Sequence, residues 1–354
     1  MKKRPTIVDV ARLCEVTPAT VSRVLNGKPN FSARQELRDR IFSTAEKIGY
    51  MPDLAARNLN RKHTRIVGIF ASPHTNLAEG ITEMLLEGLV SVLEPAGYEL
   101  FFKLAGQSGD GEPAEPEDED GLAAPADRAL PFWRFDGAVI LQAPDPRIVD
   151  ALQRRRVPFV GVNEIDARAA ASVVSHDTHG VELALDHLFE LGHRTVAYTN
   201  ATLNYLPHYS IVERHEALVA GAKRRRMKLV EGHDSRFDFR DPAGFVRHAV
   251  REGGTAILSY DHQQAVRLLG AAYELELKIP SDLSLMCFND LFPISILPPP
   301  LSAIRVDGRM MGEAGARSLL SVLGGNGSEA KEKIIRIDEE LVARASTAPP
   351  PPAK

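Results

Sequence analysis

The sequence predicts a two-part molecule: an all-α head of helix-turn-helix form, followed by an α/β body of two lobes built on parallel sheets. Three observations predict it. Residues 6–27, TIVDVARLCEVTPATVSRVLNG, read as two short amphipathic helices joined by a tight turn. From residue 65 onward, apolar strand-like runs alternate with helical stretches, the rhythm of parallel sheets covered by helices. The charge also divides: residues 1–65 hold 14 Lys+Arg against 6 Asp+Glu, net +8, while the remainder holds 29 against 41, net −12. A basic head neutralises phosphates, and an acidic body is repelled by a duplex, which confines contact to the head. With 354 residues, 44% of them apolar, the chain can bury more than one core.

The head is justified element by element. Thr6 with Asp9 three residues on has the form of a capping box, opening a helix whose Val10, Ala11 and Leu13 are expected to face inward. After a Cys14-Glu15-Val16 turn, Thr17 can cap the second helix, and Pro18 suits its first position, where no backbone N–H is needed. Val21, Val24 and Leu25 fall on one side of that helix and Ala19, Ser22, Arg23 and Asn26 on the other. The outward set is short, polar and centred on one arginine, which suits a helix in a DNA major groove, although a surface helix with a polar face reads the same way. A third helix follows within residues 31–50, carrying Leu37, Ile41, Ala45 and Ile48 at helical spacing.

The string DVAxxxxVTPATVSRVLNG, then GYMPDLAARNL, then RIVGI, in this order and spacing, closely resembles the DNA-binding head and hinge of the LacI (lactose repressor) family. The resemblance implies that Thr17, Thr20, Ser22 and Asn26 hold phosphates while Pro18, Ala19 and Arg23 face base edges. Pro18 and Ala19 carry no side-chain donors, which leaves Arg23 as the guanine reader. It further implies a hinge over residues 51–65, whose helix of about two turns is too short to persist alone in water. In the family, hinge helices pair on DNA and a leucine wedges into the minor groove; Leu59 takes that place here, and Ala56 is assigned to the same contact. Where the family carries glycine in the first turn this chain has Glu15, at a cost of about 1 kcal/mol if the residue is left-handed.

Strands are expected at residues 66–71, 98–104, 137–141, 158–163, 195–199, 256–259 and 283–288. The resemblance extends over most of this body through DGAVIL, VPFVGVNE, LALDHLFELGHRTVAY, AILSYD, IPSDLSLMCFND and PPLSAIRVDGRMMGEAGARSLL. It implies a body like the periplasmic sugar-binding proteins, with two lobes around a cleft and three crossings, expected near Asn163, Leu291 and Gly325. The boundaries follow: head 1–50, hinge 51–65, one lobe 66–163 with 292–325, the other 164–291 with 326–345, and a disordered tail 346–354.

Ligands of open α/β sheets sit beyond the carboxyl ends of the strands, so Ser72, His74, Asn76, Asn163, Asp261, Asn289 and Asp290 are effector candidates. Arg214, in SIVERHEAL, matches a family arginine that commonly binds effector. Asn and Asp at strand ends also cap helices and make turns. The family's Asn-Pro-aromatic-aromatic motif is replaced by Asn76-Leu77-Ala78-Glu79, so the usual platform for stacking a sugar is missing. Tyr205, His208 and Tyr209 stand either at the pocket rim or in ordinary packing.

Other features exclude function classes. No apolar run is long enough to span a membrane and no hydrophobic signal segment opens the chain, so a cytoplasmic protein is expected. Cys14 and Cys287 lie in different expected domains and read as small core residues, not a disulfide. His176, His179, His187 and His193 invite a metal reading, but H-x-x-H alone is weak and neither cysteine is near, so no metal is expected. The glycines at 106, 109 and 111 do not follow a strand and open a helix, which argues against a dinucleotide loop, and no cofactor is expected. Residues 110–120 carry seven acids and two prolines, the composition of a flexible loop. Arg224-Arg225-Arg226 reads as a solvated helix end in preference to a DNA contact. No nucleophile or acid–base constellation is placed, so no enzyme is expected.

The sequence thus predicts a transcription factor, a repressor before an activator. It would act as a homodimer on a pseudo-palindromic double-stranded DNA operator and respond to a small molecule, a sugar or sugar derivative, between the lobes. A cytoplasmic sugar-binding protein and a sugar-handling enzyme of the same body fold are the alternatives.

Overall fold

The computed structural model describes residues 5–25, 33–50, 63–72, 80–104, 135–142, 146–200, 208–231, 241–324 and 333–352. These fall into two compact units, Met1–Thr64 and Arg65–Lys354.

In the first unit, α1 (Ile7–Leu13) opens on Thr6, whose backbone N–H and hydroxyl donate to the Asp9 carboxylate at 2.9 and 2.8 Å. The helix α2 (Pro18–Leu25) is capped by Thr17, whose Oγ1 accepts the Thr20 N–H at 3.2 Å. The third, α3 (Gln35–Ile48), stops at Gly49, whose φ of 69° is free of the strain a Cβ would bring. Val10, Ala11, Cys14, Val21, Val24, Ile41 and Ala45 form the core. Leu13 does not join them and is 55% exposed. Residues turn by about 100° each along a helix, so it is Cys14 that completes the face begun by Val10 and Ala11. Arg40 fastens this corner by donating to the Cys14 carbonyl at 2.8 Å. Glu15 is left-handed, with φ 53°, and carries the cost anticipated for a side chain at that turn.

The second unit runs β1 (Ile66–Ala71), α4 (Gly80–Leu93), β2 (Glu99–Leu104), β3 (Gly137–Leu141), α5 (Pro146–Arg154), β4 (Phe159–Val162) and β5 (Ser172–Ser175). It continues α6 (Asp177–Glu190), β6 (Thr195–Thr199), α7 (Tyr209–Arg224), β7 (Lys228–Glu231), α8 (Pro242–Arg251), β8 (Ala256–Ser259), α9 (His262–Glu274) and β9 (Ser284–Phe288). Last come β10 (Ser302–Arg305), α10 (Gly308–Leu323), β11 (Ile334–Ile337) and β12 (Glu340–Val342). Two six-stranded sheets result, ordered β11-β5-β4-β3-β1-β2 and β12-β10-β9-β8-β6-β7. Among the described residues every strand pairing is parallel except β10 with β12.

Each sheet is buried on both faces, which is why its central strands are apolar without alternation. In the first, Val67, Ile69, Val139 and Val162 meet α4 and α10, while Phe70, Ala138 and Ile140 meet α5. In the second, Val196, Leu258 and Met286 meet α6 and α7, while Ala197, Ile257 and Leu285 meet α8 and α9. The helices α4 and α10 touch backbone to backbone: a Cβ at Gly88 would collide with the Arg309 carbonyl, and one at Gly312 with that of Leu85.

The crossings between sheets lie elsewhere than expected. After β4 the chain turns back into the same sheet as β5 and leaves it at residues 175–177; it returns between β10 and α10, at residues 305–308; and it crosses last between β11 and β12, at residues 337–340. The expected positions at Asn163, Leu291 and Gly325, and the lobe boundaries drawn from them, each move one strand further along the chain. The strands responsible, β5, β10 and β11, are four residues long with apolar runs of only two, cut short by Ser172, Ser175, Ser302, Arg305 and Arg336.

The chain end also differs from expectation, because residues 346–348 are fastened and not disordered. Leu285 N–H donates to the Ser346 carbonyl at 2.9 Å, Ser302 N–H to Ser346 Oγ at 2.8 Å, and His193 Nε2 lies 3.0 Å from the Ala348 carbonyl. Both cysteines are buried and free. Among the described residues, no helix is long and apolar enough to cross a membrane. The acidic stretch 110–120 and the hinge residues 51–62 lie outside the described residues.

Candidate functional site

Two places carry chemistry, one in each unit. In the head, the amino-terminal end of α2 presents Thr17, Pro18 and Ala19 to solvent, with Arg23 exposed and Thr20 and Ser22 half-buried. Burial of Val21 and Val24 on the opposite side fixes which face these residues occupy. The Thr17 and Thr20 hydroxyls lie 3.0 Å apart, so the residue that caps the helix also orders its neighbour. Asn26, Ala56 and Leu59 lie outside the described residues.

In the body, polar side chains gather where the first and third crossings meet α7. Asn163, just past β4, is left-handed, with φ 53°. Its Oδ1 accepts the Tyr209 hydroxyl at 3.0 Å, and its carbonyl is 3.0 Å from His208 Nε2. The same Tyr209 oxygen accepts the Ser175 N–H at 3.1 Å, and Ser175 Oγ donates to Asp177 at 3.0 Å. Asp177 in turn accepts from Arg214 Nε at 2.5 Å, and Arg214 Nη1 donates to the Tyr260 carbonyl at 3.0 Å. A second carboxyl, that of Glu339, stands 3.7 Å from Arg214 Nη2, and the guanidinium carbon lies 4.2 Å from the centre of the Phe288 ring.

This cluster is deeply buried, with Arg214 at 4%, Asp177 at 0% and Glu339 at 3% exposure. Burial works against the charge on Arg214, but Asp177 and Glu339 beside it outweigh that effect and raise its pKa. Glu339 goes the other way: burial pushes its carboxyl up to about 8, against the pull of Arg214 and helped by Asp177. Among the described residues neither Glu339 oxygen has a hydrogen-bond partner, which agrees with a neutral acid at ordinary pH. Glu339 fits here because Gly180, in the first turn of α6, leaves it room; a Cβ at that position would collide with the carboxylate.

The remaining candidates divide. Ser72 is buried at the end of β1. Asp261 caps α9, accepting the Gln264 N–H at 2.7 Å, and its neighbour Tyr260 lies over Arg214 and meets Ser210 at 2.8 Å. Asn289 is left-handed at the end of β9, with φ 67°. Asp290 sits apart from the cluster, accepting from Arg344 and Arg305, each at 2.9 Å. Burial works against its charge, but these bonds hold its carboxyl below the usual carboxylate range. His74, Asn76 and Tyr205 lie outside the described residues. Sequence reasoning missed Ser175, Asp177, Tyr260 and Glu339, which only the folded crossings assemble.

Two arginines of the basic run at the end of α7 are committed to their own lobe: Arg224 pairs with Glu182, and Arg225 with Glu182 and Asp186 at 2.8 and 2.6 Å. Of the four histidines, His187 meets Thr347 and His193 meets Thr255, each at 2.8 Å.

Comparison with known proteins agrees with this architecture. Residues 6–53 match the family described as bacterial regulatory proteins, lacI family, and residues 185–347 match the periplasmic binding protein-like domain. The chain is 28% identical to an HTH-type transcriptional regulator in the aml 5' region of Streptomyces limosus, over 97% of this chain and 95% of that protein. Among solved structures, the lac repressor dimer bound to operator and the anti-inducer ONPF superposes with a TM-score of 0.77 at 22% identity, covering 98% of this chain and 100% of that one. The transcriptional regulator CelR in complex with cellobiose gives 0.64 at 21% identity, covering 97% and 100%. The chain therefore belongs to the LacI family, DNA-binding transcriptional regulators, not enzymes, in which a helix-turn-helix head precedes a periplasmic-binding-protein-like effector domain.

Proposed function

We propose that this regulator is a repressor that binds a pseudo-palindromic operator as a homodimer in the cytoplasm, and that a sugar or sugar derivative held between its lobes sets its affinity for DNA. In the head, Thr17, Thr20, Ser22 and Asn26 hold phosphates and fix register, Pro18 and Ala19 make apolar contact with base edges, and Arg23 reads guanine through its two-pronged guanidinium. Ala56 and Leu59 of the hinge contact the minor groove, the leucine as a wedge. In the body, the effector contacts Ser72, His74, Asn76, Asn163, Arg214, Asp261, Asn289 and Asp290.

The observation that carries this reading is the chain of hydrogen bonds from Asn163 through Tyr209, Ser175 and Asp177 to Arg214. It joins residues of the first sheet to residues packed on the second, at the points where the chain crosses. A hydroxyl-rich molecule competing for these bonds acts on both lobes at once and favours one lobe orientation over another. That relatives of this fold were solved with an operator and with cellobiose supports both ends of the proposal.

The test starts from genomic fragments selected by the purified protein. Sugars are then titrated with and without the selected fragment, following anisotropy of the labelled DNA and heat of ligand binding. A sugar that changes DNA affinity by some factor must have its own affinity changed by DNA by the same factor. Equal sugar affinity in the presence and absence of the fragment overturns the proposal.

A further inference from the structure

His176 and His179 sit at the start of α6, on the first crossing, and in sequence they lack a third ligand. The fold supplies one. His176 N–H donates to the Ile337 carbonyl at 2.8 Å, which sets the first crossing alongside the third and brings Asp338 to the two rings. His176 Nδ1 lies 2.8 Å from Asp338 Oδ1, the ring centres of His176 and His179 are 5.6 Å apart, and one donor atom from each of the three residues lies within 4.8 Å of the others. Among the described residues His179 Nδ1 has no hydrogen-bond partner, so at that nitrogen the ring is not committed to a bond of its own. This separates the pair from His187 and His193, whose ring nitrogens fasten Thr347, Thr255 and the Ala348 carbonyl.

We propose that His176, His179 and Asp338 form a binding site for a divalent transition-metal ion, zinc in the first instance, which ties the first crossing between the lobes to the third. Two imidazoles and a carboxylate are borderline nitrogen and oxygen donors suited to zinc, cobalt or nickel over magnesium or calcium. Tetrahedral zinc needs donors roughly 3.3 Å apart, so the side chains close on the ion by rotations, with the backbone in place. The ion takes the place of the hydrogen between His176 Nδ1 and Asp338: the ring ligates through Nδ1 as the neutral tautomer that carries its N–H on Nε2, and any proton beyond that one leaves to solvent. Three protein donors leave a fourth position for water. The positive end of α6 opposes a cation, a small effect beside three coordinate bonds and the charge of Asp338. Such an ion restrains relative movement of two of the three crossings, a control separate from any sugar.

The experiment uses the full chain stripped with a chelator and zinc ion alone as probe, titrated against a chromophoric zinc competitor. One ion per chain is expected, with affinity falling about tenfold or more in His176→Gln, His179→Gln and Asp338→Asn, since loss of an outer-shell partner alone costs that much. His248→Gln, a histidine on α8, serves as the control and keeps the parent's affinity. Absence of saturable zinc uptake, or equal affinity of parent and all three variants, overturns the proposal. Should the variants lose their circular dichroism signal, cobalt added to the parent decides: visible absorption of a nitrogen- and oxygen-ligated ion supports the site, and the spectrum of aqueous cobalt overturns it.

Discussion

The head and the body place their candidate residues in opposite settings. In the head, Thr17, Pro18, Ala19 and Arg23 stand in solvent above a core of seven small or branched side chains. In the body, Arg214, Asp177 and Glu339 are buried where two sheets exchange their chain. Exposed groups cost little and are available to a large charged partner; buried ones are expensive, and a change in any one disturbs the rest. The contrast suits a module that reads a duplex and a module that responds to a small molecule.

The largest effect expected on this contrast is at Asp177. Asp177→Ala leaves Arg214 buried without its closest counter-charge and should lower the unfolding free energy of the body by about 3–5 kcal/mol, read from urea denaturation. A near-neutral result would mean that these charges do not hold the crossings together. Next comes pH. Glu339 has a folded pKa near 8 against an ordinary 4.5, so between those values the folded chain keeps a proton that the unfolded chain has released. Stability from this group therefore falls as pH rises through that window and levels off above it. Glu339→Gln removes the fall, so thermal midpoints of variant and parent should diverge, in the variant's favour, from about pH 5 to about pH 8.

The head should give smaller numbers. Arg23→Ala is expected to lower specific DNA affinity by about 1–3 kcal/mol in anisotropy titrations while leaving the body's unfolding unchanged. Smallest is Glu15→Gly, which removes a side chain from a left-handed turn and should raise head stability by about 1 kcal/mol in thermal unfolding.

Much of this organisation was legible in the sequence, and what was not has a physical pattern. Capping by Thr6 and Thr17 was readable because it depends on neighbours within one turn. The long apolar strands β1, β3 and β9 were readable because both their faces are buried. The short strands β5, β10 and β11 were not, and each omission displaced one crossing. The same error hid the centre of the body's polar cluster: Asp177 and Glu339 are unremarkable in sequence and become neighbours only once the crossings are placed. Arg214 and Asn163 were identified, the first from resemblance and the second from its place after a strand. Asp290 was named on the same ground, and its carboxylate meets Arg344 and Arg305.

The fastening of residues 346–348 has a practical reach. Ser346 is wholly inaccessible to solvent, and its hydroxyl bridges the Leu285 carbonyl and the Ser302 N–H, so the chain end works as a peg holding β9 and β10 in line. Trimming by a carboxypeptidase past Thr347 would strand the imidazoles of His187 and His193, which burial keeps neutral by lowering their pKa values. A purification handle therefore belongs beyond Pro352, and resistance of this terminus to digestion becomes a simple gauge of whether the second sheet is intact.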